Sequence, residues 1–153
     1  MRRVLVTGAN KGIGFAIARG ILAEHADTFV FLGSRDQARG QAAVEALIAE
    51  QPSFSGRLVH VGLDVSSDES VAKAIDGVRQ QLGPTGLLYG VVNNAGVGAR
   101  SLDLQTVLNV NTVGVRRVCE GFLPLIDPQH GRVVNVTSAP RSNRRSAAAK
   151  LPL

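Results

Sequence analysis

Arg3-Val4-Leu5-Val6-Thr7 runs directly into Gly8-Ala9-Asn10-Lys11-Gly12-Ile13-Gly14, and a helical apolar period follows to about residue 24. The apolar run reads as a buried strand. Three glycines then shape the turn. Gly8 permits a tight reversal, Gly12 lets the backbone approach a pyrophosphate, and Gly14 allows the helix to pack closely on the strand. The helix N-terminus offers free N–H groups and the positive end of its dipole to phosphates. The spacing is G-x-x-x-G-x-G rather than the commoner G-x-G-x-x-G. Glycine turns are common at strand ends, so a purely structural turn stays open. The flanking strand and helix favour a dinucleotide loop made of Gly8, Asn10, Lys11, Gly12, Ile13 and Gly14.

Beyond this loop the same alternation continues. Residues 28–32 (Thr-Phe-Val-Phe-Leu) read as a second strand, and Asp36 is placed to cap a helix reaching about residue 51 with Ala43, Val44, Leu47 and Ile48 on one face. Residues 57–61 are a third strand, residues 68–82 a helix, residues 87–92 a fourth strand, residues 104–123 a helix and residues 132–136 a fifth strand. Strands that are apolar throughout, each separated by a helix, indicate a parallel sheet covered on both faces. Right-handed crossovers then give an α/β, doubly wound, Rossmann-type domain with expected strand order 3-2-1-4-5. The alternation fails after residue 138. The expectation is an incomplete dinucleotide-binding domain over residues 1–138, cut after its fifth strand, and a basic, disordered tail over residues 139–153.

Composition narrows the function classes. The chain has 153 residues, enough for one domain with a sizeable core, and 44% of them are hydrophobic. No 18-residue apolar run occurs, and the apolar stretch behind Met1-Arg2-Arg3 is too short for a secretory signal. A single cysteine, Cys119, excludes an intrachain disulfide and a cysteine-cluster metal site. A cytoplasmic protein without membrane or metal is expected. The net charge of +5 invites a nucleic-acid partner. However, residues 139–153 carry four basic side chains and no acid, which leaves 13 basic and 12 acidic before them. The basicity belongs to the tail, and no nucleic-acid partner is expected.

The end of the second strand bears on cofactor choice. A carboxylate there would bind the ribose 2′-OH of NAD, whereas arginine accommodates the 2′-phosphate of NADP. Here the strand runs into Gly33-Ser34-Arg35, Arg39 lies one helical turn later, and Lys11 projects toward the same place. Three cations around one position suit a dianionic phosphate, so NADP(H) is expected. The alternative is that Arg35 and Arg39 are solvated helix-start residues. Asp64, just after the third strand, is placed either to meet the adenine amino group or to cap the next helix.

These residues resemble the short-chain dehydrogenase/reductase family. Thr7-Gly8-x-x-x-Gly12-x-Gly14 is similar to its cofactor motif, and Asn93-Asn94-Ala95-Gly96 to its Asn-Asn-Ala-Gly motif. Asn111 matches the helix asparagine of its catalytic tetrad, and Val133-Val134-Asn135-Val136-Thr137-Ser138 the strand ending in its catalytic serine. Asn10-Lys11-Gly12-Ile13-Gly14, Arg39-Gly40-Gln41-Ala42-Ala43-Val44 and Leu123-Pro124-Leu125-Ile126 resemble the carbonyl reductase branch in particular. The resemblance covers residues 1–138. It implies NADPH-dependent reduction of a small ketone, aldehyde or quinone. Asn94, Ala95 and Gly96 would lie beneath the nicotinamide, Asn111 would hold a water in a proton relay, and Ser138 would polarise the substrate carbonyl. Residue chemistry agrees: Asn94 can tie backbone together at the end of a central strand, and Asn111 inside an apolar helix needs a partner or a water.

Two departures stand against the resemblance. Asn111 stands only 15 positions after Gly96, a short loop for the family. The family's Tyr-x-x-x-Lys is absent, because Tyr89 is the sole tyrosine and Asn93 stands four residues after it. The chain on its own is therefore expected to be inactive, with a non-catalytic dinucleotide-binding module as the alternative. The apolar fifth strand, left as an edge, predicts self-association or a homo-oligomer.

Overall fold

A computed structural model describes residues 1–98 and 103–137. Ser138 and the expected tail, residues 139–153, lie outside the described residues. The chain alternates β1 (Arg2–Val6), α1 (Gly12–Glu24), β2 (Thr28–Ser34), α2 (Gln37–Glu50), β3 (Leu58–Gly62), α3 (Asp68–Leu82) and β4 (Gly90–Asn93). Next come α4 (Leu104–Leu108), a π-helical turn (Asn109–Val113), α5 (Gly114–Phe122) and β5 (Arg132–Asn135). All strand pairs are parallel and the order is β3-β2-β1-β4-β5, as the alternation predicts.

Residues 4–6 of β1, 29–32 of β2 and 91–92 of β4 are unbroken apolar runs because each face of the sheet meets helices there. Alternate residues serve different cores. Val4, Val6, Val30 and Leu32 join Ala18 and Leu22 of α1 and Leu47 of α2 on one face. Leu5, Phe31 and Val91 join Val71 and Val78 of α3 and Val118 and Phe122 of α5 on the other. Arg57 fastens the bottom of the first face: its guanidinium donates to the carbonyls of Leu22 (2.7 Å) and His25 (2.9 Å) and lies over the Phe54 ring.

β1, β3 and β5 differ by one residue at one or both ends from the sequence expectation, and three elements differ by more. β2 continues two residues further, to Ser34, because Gly33 and Ser34 still find partners in Val61 and Gly62. The fourth strand begins at Gly90 rather than residue 87: Leu88 makes only an isolated bridge to Ile126, and Leu87 is exposed. The helix expected over residues 104–123 is broken by the π turn, which widens the backbone at Asn111. At the other margin of the sheet, all four residues of β5 are exposed, and among the described residues nothing pairs with its outer edge.

Candidate functional site

The strand order reverses between β1 and β4, and their carboxyl ends part around a cleft of about 440 Å³. Open α/β sheets place ligands at such a switch point. Thr7, directly after β1, is buried, and its hydroxyl oxygen accepts from the backbone N–H groups of Asn94 and Ala95, each at 3.0 Å. In return the Asn94 side-chain amide donates to the carbonyls of Thr7 (3.0 Å) and Gly8 (3.2 Å). Four hydrogen bonds thus stitch the ends of the two central strands together and fix the floor of the cleft.

Gly14 makes this floor possible. A Cβ there would stand 2.4 Å from Asn94 Nδ2 and 2.6 Å from the Gly8 carbonyl oxygen. Gly12 differs. It has φ of +59°, and a Cβ on it would meet nothing within 4 Å. Its backbone is left-handed and borders open space, as a close approach by a ligand requires.

The electrostatics of the cleft follow from helix capping. α2, α3 and α4 are each capped by a side chain, from Asp36, Ser67 and Asp103 respectively. α1 has Lys11 at its N-cap, no side-chain cap and no acid in its first turn. Its first N–H groups and positive dipole end are therefore left to whatever occupies the cleft. Lys11 and Arg35, both exposed, line the same cleft. An anion, a phosphate above all, is what this arrangement can hold.

The structure brings most of the expected residues together. Gly8, Asn10, Lys11, Gly12, Ile13, Arg35, Asp64, Asn94, Ala95 and Gly96 all line the cleft, and Gly14 is buried beneath it. Arg39 does not line it. The Arg39 guanidinium lies 3.5 Å from Asp36, and its backbone N–H donates to the same carboxylate at 2.8 Å, so a local pairing draws it along α2. Asp64 does not cap α3, which Ser67 does; its carboxylate accepts from the Ser66 N–H (2.9 Å) and hydroxyl (2.6 Å) at the cleft wall.

Asn111, in the π turn, uses both ends of its amide on Val97: Oδ1 accepts from the Val97 N–H and Nδ2 donates to the Val97 carbonyl, each at 2.9 Å. It stands beside the cleft, and Val97 and Val110 form part of the lining. Arg117 ties the turn to the start of α3: it donates to Asn109 Oδ1 (3.4 Å) and to the Val65 carbonyl (2.7 Å), and it pairs with Asp68. Ahead of it, the hydroxyl and amide of Thr106 hold the Asp103 carboxyl below the usual aspartate value.

Sequence reasoning gave no role to Thr7, Ser34 or Val97. Thr7 stood within the quoted motif, and a hydroxyl closing a buried strand was the sign available. Val97 carried none, because its contribution is backbone.

The short chain dehydrogenase family matches residues 2–149. Carbonyl reductase [NADPH] 3 of Rattus norvegicus is 41% identical over 146 residues, covering 90% of this chain and 49% of that protein. Among solved structures, menthone neomenthol reductase from Mentha piperita superposes with a TM-score of 0.78 at 30% identity, over 90% of this chain and 60% of that one. An NADPH-bound carbonyl reductase from chicken fatty liver gives 0.67 at 31% identity, over 82% and 48%. The chain spans about half the length of the curated relatives it matches.

Proposed function

The chain belongs to the short-chain dehydrogenase family, and on that premise we propose that its cleft binds NADP(H) in the service of reducing small ketones, aldehydes or quinones. The observation that carries this reading is the uncapped N-terminus of α1 opening on a cleft lined by Lys11 and Arg35. The named relatives, carbonyl reductases marked as NADPH enzymes, support it from outside the chain.

In this reading the N–H groups at the start of α1 and the Gly12 backbone take the pyrophosphate. Arg35 and Lys11 take the 2′-phosphate, with Arg39 adding charge behind them. Asp64 meets the adenine amino group. Asn94, Ala95 and Gly96 lie under the nicotinamide end, where Asn94 keeps the floor from moving. When bound there, NADPH would be the source of the hydride that reduces the carbonyl carbon. Asn111 and Ser138 serve the substrate side, as the family resemblance implies. No Tyr-x-x-x-Lys occurs in the 153 residues, so this polypeptide alone binds and orients without a strong proton donor. General acid catalysis commonly contributes about 10²–10⁴-fold, and turnover is expected to fall by that order.

The binding test is calorimetric titration with NADPH and NADH. Arg35→Asp is expected to reverse a preference for NADPH. A charge-assisted hydrogen bond is worth about 1.5–3 kcal/mol, or about ten- to a hundredfold in affinity. Equal affinity of the parent for both cofactors would sink the reading. The turnover test follows NADPH absorbance with quinones and small aldehydes beside a Ser138→Ala control. Steady oxidation abolished by the control would refute the expected inactivity.

A further inference from the structure

Gly40 sits in the stretch Arg39-Gly40-Gln41-Ala42-Ala43-Val44, yet it does not border the cleft. A Cβ on Gly40 would stand 2.1 Å from both Cδ2 and Nε2 of His60 and 2.5 Å from the Ser34 hydroxyl oxygen. The missing side chain is the space in which the imidazole lies. His60, on β3, reaches through that space to the end of β2. Its Nε2 is 2.9 Å from Ser34 Oγ and 3.3 Å from the Ser34 carbonyl oxygen.

The hydroxyl settles the direction of these bonds. Ser34 Oγ donates to the Asp36 carbonyl at 3.0 Å. A hydroxyl has one proton, so toward His60 the same oxygen accepts, and Nε2 carries the hydrogen. Donation therefore runs from His60 to Ser34 to Asp36. Ser34 is 2% exposed, and its bonds form where water does not compete. Asp36 is fixed independently, because its side chain caps α2. The backbone is thus pinned immediately before and immediately after Arg35, whose own side chain is exposed on the cleft.

We propose that His60 is a positioning residue for cofactor selectivity: through Ser34 it holds the backbone on both sides of Arg35, so that the guanidinium meets the 2′-phosphate. This rests on the NADP(H) reading above. Gly40 belongs to the same device, since any larger residue drives the imidazole out of its slot. His60 touches no cofactor itself; its effect passes through Ser34 and Asp36. A long, exposed arginine loses rotamer freedom on binding, and a fixed backbone lowers the part of that loss borne by the loop.

The experiment titrates NADPH and NADH, and the fragments adenosine 2′,5′-bisphosphate and AMP, into the full chain and three variants. His60→Phe keeps a ring and removes the donor, His60→Gln keeps a donor near the same place, and Gly40→Ala evicts the imidazole without altering it. His60→Phe and Gly40→Ala are expected to lose the preference for the 2′-phosphorylated ligands by about three- to tenfold, the span of one net hydrogen bond. Their affinities for NADH and AMP should stay within about twofold, and His60→Gln should retain the parent's preference. Far-UV circular dichroism identifies a variant that fails to fold, in which case the other loss-of-contact variant decides. A purely structural role would weaken all four ligands together, and that result, or an unchanged preference in the folded variants, overturns the proposal. A parent chain without any NADPH preference overturns the underlying reading instead, and this inference falls with it.

Discussion

Replacing Gly12 and Gly14 by alanine, one at a time, should separate binding from stability. At Gly14 the new methyl meets the Gly8 carbonyl oxygen at 2.6 Å and the Ala9 Cα at 2.9 Å, which are backbone atoms that cannot step aside, and Asn94 Nδ2 at 2.4 Å. Overpacking of this kind costs about 1–3 kcal/mol. Displacing the Asn94 amide from the Thr7 and Gly8 carbonyls removes two further bonds, each worth about 0.5–1.5 kcal/mol net. Alanine returns at most about 1 kcal/mol as a better helix former. A loss of about 1–5 kcal/mol, centred near about 3, is expected on these terms. At Gly12 nothing lies within 4 Å, so only the left-handed backbone matters, a strain of about 1–2 kcal/mol partly offset by a stiffer unfolded chain. The Gly12 methyl does, however, stand in the space assigned to the pyrophosphate. Urea denaturation should therefore rank Gly14→Ala far below Gly12→Ala, while NADPH titration should show a loss of tenfold or more, about 1.4 kcal/mol, in Gly12→Ala at nearly parental stability. A Gly12→Ala variant that binds NADPH like the parent would refute the placement of the phosphates, and a fully stable Gly14→Ala would refute the packing account.

Two further expectations concern regions beside the cleft. Val134 is half exposed on the outermost strand, so Val134→Lys should raise the monomer fraction in sedimentation velocity, as charge on an open edge does; unchanged self-association would remove β5 as its cause. The Thr106 hydroxyl and amide lower the Asp103 carboxyl, so its contribution to the first turn of α4 is present at neutral pH and is lost as pH falls through the lowered value. Protection of the Thr106 amide from hydrogen exchange should decline on acidification below the ordinary carboxylate range. Protection that survives there would mean that the cap is not what holds the turn.

The doubly covered sheet was legible because neighbours such as Leu5 and Val6, which a strand sends to opposite faces, are both apolar, and the strand order followed from right-handed crossovers. The glycine turn was legible as well, because Gly8, Gly12 and Gly14 stand between an apolar run and a helical period. The π turn was not legible, because Val110 and Val113 keep an apolar pattern whether the helix is wound with a regular or a widened turn. The spacing that puts Arg39 one helical turn beyond Arg35 does not show its local pairing with Asp36, which leaves it outside the cleft lining. Leu87-Leu88-Tyr89 looked like strand because composition cannot tell how far the neighbouring strand reaches; pairing with β1 starts at Val4 opposite Gly90. His60 read as an ordinary strand residue, since its meaning depends on the absence of a side chain at Gly40, twenty positions away.

The central place of β1 also sets a schedule. One of its edges is satisfied as soon as β2, ending at Ser34, has been made, but the other waits for β4, which begins at Gly90. At about 5–20 residues per second a ribosome needs on the order of 3–11 seconds to synthesise the stretch between them. During that interval the first strand–helix–strand unit shows an open row of backbone donors and acceptors along β1, with half of its eventual covering not yet in existence. The innermost strand of the finished sheet is thus the outermost strand of the growing one, and β4 ends its exposure.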